Sequence, residues 1–216
     1  MKTKEKILSI ALALFNKQGF GAVTMKHIAD EMLVDRRNLT YHFNKDTLLE
    51  AIADQMWVKL DAERKKRRDF PSFENLDSET KMYYAFQKEY AFIFNDIKVI
   101  RHPILKEKFK QLAKTSIQDN EAAIAFAIKL GNIRPEPFKG AYHNLCLSIW
   151  ALSMFWVPQQ TIREVNNPEE LRQVIWSLIL PHFTEKGIQS FKDFFGAEFF
   201  DTIGKSFDVD VNMAFF

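Results

Sequence analysis

Cysteine is almost absent from this 216-residue chain: Cys146 stands alone, so no intrachain disulfide can hold the fold. Glycine and proline are also sparse, seven of each, too few for the many tight turns of an all-β domain. Long apolar runs are missing. The longest, Leu145 to Val157, is interrupted by Ser148 and Ser153 and falls short of the roughly 20 residues that span a bilayer. Met1-Lys2-Thr3-Lys4-Glu5-Lys6 leads straight into an amphipathic pattern, without the apolar core or cleavage site of a secretory signal. The five histidines, His27, His42, His102, His143 and His182, show no spacing typical of a metal site, and His143 and Cys146 share a helix face without further ligands. Neither a phosphate-cradling glycine loop nor a nucleophile–base motif is visible. These absences lead away from a membrane protein, a disulfide-stapled secreted domain, a metal sensor and an enzyme. They predict a cytoplasmic protein without cofactor.

What is present is helical periodicity and unevenly placed charge. Residues 1–68 carry 14 Lys/Arg against 9 Asp/Glu, and the remainder 16 against 19. A small basic unit joined to a mildly acidic one suggests that the first meets a polyanion. Ile7, Ile10, Ala11, Leu14 and Phe15 recur at helical spacing over 3–18, and Gly19 stops that helix as a left-handed cap position would require. Thr24 is an N-cap for a short helix over 25–32, and Asp35 for a third through about His42. Asn44 starts a fourth helix that runs to Lys65-Lys66-Arg67-Arg68, a cluster that reads as charge favoured at a helix C-terminus before it reads as a nucleic-acid patch.

Phe70-Pro71-Ser72-Phe73 then interrupts the pattern, and Asp77-Ser78 restarts it. Further helices are predicted at 78–95, at 103–131 with a kink or break near Ser116–Asn120, and at 138–157. Asn167-Pro168-Glu169-Glu170 opens another, running to about Lys186 with a kink at Pro181, and a last stretch covers 187–205. The tail Asp208–Phe216 has no period. The fold class is all-α. An N-terminal three-helix domain, 1–55, with the fourth helix 45–68 as connector, precedes a larger helical domain, 69–216.

Two short helices joined by a tight turn are a DNA-reading arrangement. On the third helix, Leu39 and Phe43 point to the core, while Arg36 with Thr40 and Arg37 with Tyr41 form an outward stripe with Asn38 at its margin. A helix fits the major groove, where Arg pairs bidentately with guanine and Asn with adenine. Thr24, Tyr41, His42 and Lys45 are residue types that hold phosphates and set register, Lys45 at a helix N-terminus that itself favours an anion.

Ala13-Leu14-Phe15, Gly19-Phe20, Thr24, Ile28-Ala29, Val34 and Leu39-Thr40-Tyr41-His42-Phe43, followed by Lys45 and Leu48-Leu49, resemble the N-terminal domain of the TetR family over residues 3–55. The resemblance implies a helix-turn-helix at about 25–44, a C-terminal domain that binds a small effector, and a homodimer on a near-palindromic operator in double-stranded DNA. Repression is the sign that family habit implies. The DNA-facing set it implies is Thr24, Lys26, Arg36, Arg37, Asn38, Thr40, Tyr41, His42 and Lys45. Three positions depart from the family pattern. Leu33 stands where a turn glycine is usual, Thr40 replaces a frequent tyrosine, and Phe43-Asn44-Lys45-Asp46 is one residue shorter than the common form. A non-glycine residue in a left-handed turn costs roughly 1 kcal/mol.

Aromatic residues crowd the C-terminal half. Phe86, Tyr90, Phe94, Phe109, Phe126, Tyr142, Trp150 and Phe155 are candidates to line an effector cavity, which predicts an apolar or aromatic ligand. Leu147, Met154, Leu171, Ile175, Leu178, Ile179 and Phe183 are candidates for a two-fold four-helix interface. Two other readings stay open on the sequence: a dimeric scaffold with weakened DNA binding, favoured by Leu33 and Thr40, and an enzyme with a helical aromatic pocket.

Overall fold

In the computed structural model, which describes residues 3–66 and 71–205, the first four helices begin where short polar side chains precede the apolar pattern. They are α1 (Thr3–Gln18), α2 (Met25–Met32), α3 (Arg36–His42) and α4 (Lys45–Lys65). Thr24 caps α2, Asp35 caps α3 and Asn44 caps α4, each side chain accepting a first-turn N–H. Gly19 takes φ 82 just past α1, in the left-handed region where a side chain is strained. Ile7, Ala11, Phe15, Ile28, Leu39, Leu48, Leu49 and Ile52 are all essentially inaccessible and pack these helices together. The basic cluster at the end of α4 is described only as far as Lys66, and the tail Asp208–Phe216 lies outside the described residues.

The remaining elements are α5 (Phe73–Glu89), α6 (Ala91–Phe94), α7 (Ile97–Ile100), α8 (Pro103–Lys129), α9 (Ala141–Ile162), α10 (Glu170–Ile179), a 3-10 turn at 180–182, α11 (Glu185–Phe195), α12 (Ala197–Thr202) and a 3-10 turn at 203–205. Among the described residues there is no strand, only an isolated antiparallel bridge between Ile133 and Phe183. No helix among them is long and apolar enough to cross a membrane.

Boundaries differ from expectation at several points: the predicted helix 78–95 ends at Glu89, the predicted stretch 187–205 is split at Gly196, and four further differences have identifiable causes. Helix α5 starts at Phe73 instead of 78, because Ser72 Oγ accepts the Asn75 N–H at 3.1 Å. Helix α8 runs unbroken through Ser116–Asn120. Those polar residues have partners on other helices: Ser116 and the Tyr83 hydroxyl share a 3.2 Å hydrogen bond, and Arg64 of α4 donates to Asp119 at 2.9 Å. Helix α9 starts only after Gly140 and continues past the expected end at 157 to Ile162, through a kink at Phe155. Pro158 lies one turn beyond the kink and withholds a backbone N–H. Gln87 of α5 repairs part of the break: its carboxamide donates to Ser153 C=O and Tyr83 C=O and accepts from Val157 N–H. Last, α10 ends at Ile179 where Pro181 was expected only to kink it, and α11 starts afresh with Thr184 as its cap.

Two apolar clusters result. One joins α1–α4 continuously to α5–α8. The other gathers α9–α12 around Trp176 and Phe191, with Phe73, Phe195, Phe199 and Phe200 packed against it. Buried charge anchors α10: Glu170, 2% exposed, accepts from Arg163 at 2.6 and 2.9 Å and from Gln160 at 2.8 Å. Burial pushes the Glu170 carboxyl up, but these hydrogen bonds outweigh it and hold the group below the usual carboxylate range. At Gly187 a Cβ would lie 2.0 Å from the Asn132 carbonyl oxygen, so the approach of α11 to the loop after α8 requires glycine. Cys146 is fully buried, and burial, aided by the Glu121 carboxylate, pushes its thiol up to about 12.

Candidate functional site

The α2–α3 pair presents its polar chemistry outward because one residue fixes the rotation of α3. Leu39 is 1% exposed and inserts into the small core. With that face committed, Arg36, Arg37, Asn38, Thr40 and Tyr41 all project to solvent, Tyr41 at 87% exposure. Asp35 Oδ1 accepts the Arg37 N–H at 2.7 Å and sets the first turn, and Thr40 Oγ1 donates to Arg37 C=O at 3.2 Å. The Tyr41 ring meets the half-buried His42 edge-on at 5.2 Å.

The turn that delivers α3 is strained. Leu33 adopts φ 57, ψ 42 and is 92% exposed, so it carries the left-handed penalty of about 1–2 kcal/mol without a packing return. Its N–H donates to Asp30 C=O, and Val34 N–H to Ala29 C=O, which closes the end of α2.

Thr24 and Lys26 are exposed at the start of α2. The Thr24 side chain is already engaged within the fold, since its Oγ1 accepts His27 N–H at 3.2 Å while His27 Nδ1 accepts Thr24 N–H at 3.4 Å. Lys45 is tied to the fold, its Nζ donating to Gly21 C=O at 3.2 Å and lying 4.6 Å from the Phe20 ring centroid. Burial lowers its pKa, an effect that Asp46 partly opposes.

The C-terminal half contains a cavity of about 580 Å³. Phe73 and Leu76 of α5, Ala123, Phe126 and Ala127 of α8, Ile149 of α9, and Trp176 with Ile179 beyond them form its apolar wall. Arg64, Glu79, Asp119 and Asn120 form a polar end. Asn132, past the end of α8, also lines the cavity, and its Oδ1 is buried without a hydrogen-bond partner.

Of the eight aromatic residues proposed for this role, only Phe126 lines the cavity. Phe86, Tyr90, Phe94 and Phe109 fill the first core, Tyr142 the second, Trp150 packs against the first core, and Phe155 is 37% exposed at the α9 kink. The dimer candidates also need correction. Met154, Leu171, Ile175, Ile179 and Phe183 are buried in the chain's own cores and have no surface left for a partner, which leaves Leu147 and Leu178 accessible. Periodicity marks buried faces but does not separate a filled core from a void, and no residue pattern flagged Phe73, Arg64 or Asn132. Among the described residues, no group of three His, Cys, Asp or Glu side chains is placed to hold a metal ion.

Two family models match the chain. One, for bacterial regulatory proteins of the tetR family, matches residues 7–52; the other, TetR, described as a bacterial transcriptional repressor, matches residues 53–191. No curated protein matches the sequence. Among solved structures, the fold is similar to that of a TetR-family transcriptional regulator from Marinobacter aquaeolei VT8. The TM-score is 0.78 at 21% identity, covering 95% of this chain and 99% of that one. It is also similar to the ketosteroid transcriptional regulator KstR2 of Mycobacterium tuberculosis, with a TM-score of 0.63, 17% identity and 86% and 97% coverage. NalD, the secondary repressor of the MexAB-OprM multidrug efflux pump in Pseudomonas aeruginosa, gives 0.59, 16%, 85% and 98%.

Proposed function

The chain belongs to the TetR family of bacterial transcriptional repressors, and we propose that α3 reads a palindromic operator and that the 580 Å³ cavity takes a small apolar or aromatic effector that releases the DNA. The observation that carries the first half is the outward display of Arg36, Arg37 and Tyr41 on a helix locked in rotation by Leu39. Guanidiniums on such a face reach the O6 and N7 atoms of guanine. Lys26 and Tyr41 supply phosphate contacts that fix register. Lys45 acts indirectly by holding the loop at Gly21 against the start of α4. His42 supports Tyr41 from the side. Thr24 keeps the start of α2 ordered and presents its free amides.

One such helix does not select a site, so two copies are required. The accessible apolar residues Leu147, Phe155 and Ile162 of α9 and Leu178 of α10 form the self-complementary patch in this reading. The dimer holds two α3 helices about 34–36 Å apart, one turn of B-DNA. An effector favours a conformation in which that spacing is wrong; its differential affinity for the two states sets how far DNA binding falls. KstR2 is described as a ketosteroid regulator, and the largely apolar wall here suits molecules of comparable hydrophobicity.

The test is selection of duplexes from a random pool by the purified protein, followed by titration of a winner. A half-site repeat spaced by one helical turn, with affinity that falls steeply as salt rises, is the expected result. Binding no stronger to the selected duplex than to a scrambled one rejects the reading. Light scattering checks the assembly: a stable monomer rejects the dimer.

A further inference from the structure

We propose that Asn16 is a positioning residue that links the effector cavity to the DNA-binding helices through α5, an inference that rests on the cavity reading above. Helix α5 has one end in the cavity, where Phe73, Leu76 and Glu79 form part of the wall. Its other end, about 25 Å away at 1.5 Å per residue, stops at Glu89, where Tyr90 leaves helical geometry at φ −114, ψ 41 before α6 begins.

Any such break orphans backbone groups on both sides. Here one side chain from α1 satisfies two of them. Asn16 Nδ2 donates to Glu89 C=O at 2.8 Å, and Asn16 Oδ1 accepts Phe92 N–H at 3.0 Å. The carboxamide therefore substitutes for helix bonds that α5 and α6 do not make with each other. Phe15, the neighbour of Asn16, packs its ring against Phe92 at 5.2 Å.

Other polar ties between α1–α4 and the rest, Lys59–Glu89, Lys108–Asp54, Asp46–His102 and Arg64–Asp119, are side-chain pairs. Lys59–Glu89 and Lys108–Asp54 are about half exposed and are readily exchanged for water. Arg64–Asp119 is more sheltered but belongs to the cavity wall itself. Asn16 differs because it binds backbone on both sides of a joint. When α5 shifts, α1 must follow or two backbone groups lose their partners. Since α1 and α2 pack together under α3, movement of α1 changes how α3 is presented. Gln87 fastens the last turn of α5 to the kinked part of α9 through side-chain bonds instead of a continuous helix, so α5 and α9 adjust together.

The experiment measures coupling with a named probe. Anilinonaphthalenesulfonate is titrated into the full-length dimer with and without the selected duplex, for the unaltered protein, Asn16→Ala and Asn16→Asp. Dye seating in the cavity is verified by its loss in an Ala123→Trp/Ala127→Trp variant. In the unaltered protein the dye weakens duplex binding within the range of about 5–150-fold typical of coupled sites, and the duplex weakens dye binding by the same factor. In Asn16→Ala the protein still binds dye and duplex separately, but the factor falls to within about twofold. Asn16→Asp keeps the acceptor for Phe92 N–H, loses the donor to Glu89 C=O, gives an intermediate factor, and carries the comparison should the alanine variant not fold. An unchanged factor in both variants overturns the role of Asn16 alone. A dye that does not enter the cavity, or enters without affecting the duplex in the unaltered protein, overturns the effector reading and the Asn16 role with it.

Discussion

The two halves of the molecule place their polar groups in opposite ways. In α1–α4 the core is largely apolar and the side chains proposed to read DNA, Arg36, Arg37, Asn38 and Tyr41, lie outside. In α5–α12 several polar groups turn inward: Gln87 is 1% exposed, Glu170 2% and Asp77 7%. Asp77 accepts from Arg172 and from the Trp176 indole at 3.3 Å. An exposed guanidinium costs the folded state almost nothing and is free to meet a ligand. An inward carboxamide or carboxylate is costly without its partners, and fixes one arrangement of helices when it has them. Substitutions in the two halves should therefore fail in different assays.

The strongest challenge to this contrast is Gln87→Leu. It removes the partners of Val157 N–H and Ser153 C=O at the α9 kink, and each orphaned group costs about 1–3 kcal/mol. A loss near 3 kcal/mol in denaturant-induced unfolding is expected, and a stability equal to that of the unaltered protein would erase the distinction. Arg37→Ala is the opposite case. It should lower affinity for the selected duplex by about 1–3 kcal/mol while leaving the unfolding midpoint within about 0.5 kcal/mol, as for other surface changes. Leu33→Gly probes the exposed side through the backbone. It relieves a left-handed leucine that packs against little, so a stabilisation of about 1 kcal/mol is expected. Calorimetry showing a lower melting temperature would mean that Leu33 contributes contacts not evident from its 92% exposure.

The gentlest test is acidity. The folded-state pKa of Glu170 is depressed, so its stabilising contribution is fully present above the unfolded carboxylate value. It is lost as pH falls through the lower folded value. Stability should therefore be flat near neutrality on this account and decline on the acid side of the ordinary carboxylate value of 4.5. Glu170→Gln should flatten that decline while lowering stability at neutral pH, and an identical acid limb in both proteins would remove the assignment.

How much of this was legible in the chain follows the same division. The limits of α1–α4 could be read because Thr24, Asp35 and Asn44 are local caps, and a cap acts within one turn. The outward face of α3 could be read because Leu39 marks its inner side and Phe43, just past its end, packs against the same core. Farther along, the cues were long-range. The run Ser116–Asn120 resembles a break until Tyr83 and Arg64 are seen to engage it from 33 and 55 residues away. The cavity escaped for the same reason. Phe86 and Phe73 are both apolar and helical, and only the tertiary arrangement makes one a filling and the other a wall.

Cys146 has a practical consequence. A wholly enclosed thiol whose pKa is pushed up by burial offers a reagent almost no thiolate at neutral pH. Maleimides and nitroxide tags will therefore ignore the natural protein. A single cysteine introduced at Val58, 71% exposed on α4, becomes the accessible attachment point. In the proposed dimer, spectroscopic rulers between paired tags can then follow the spacing of the two α4 helices.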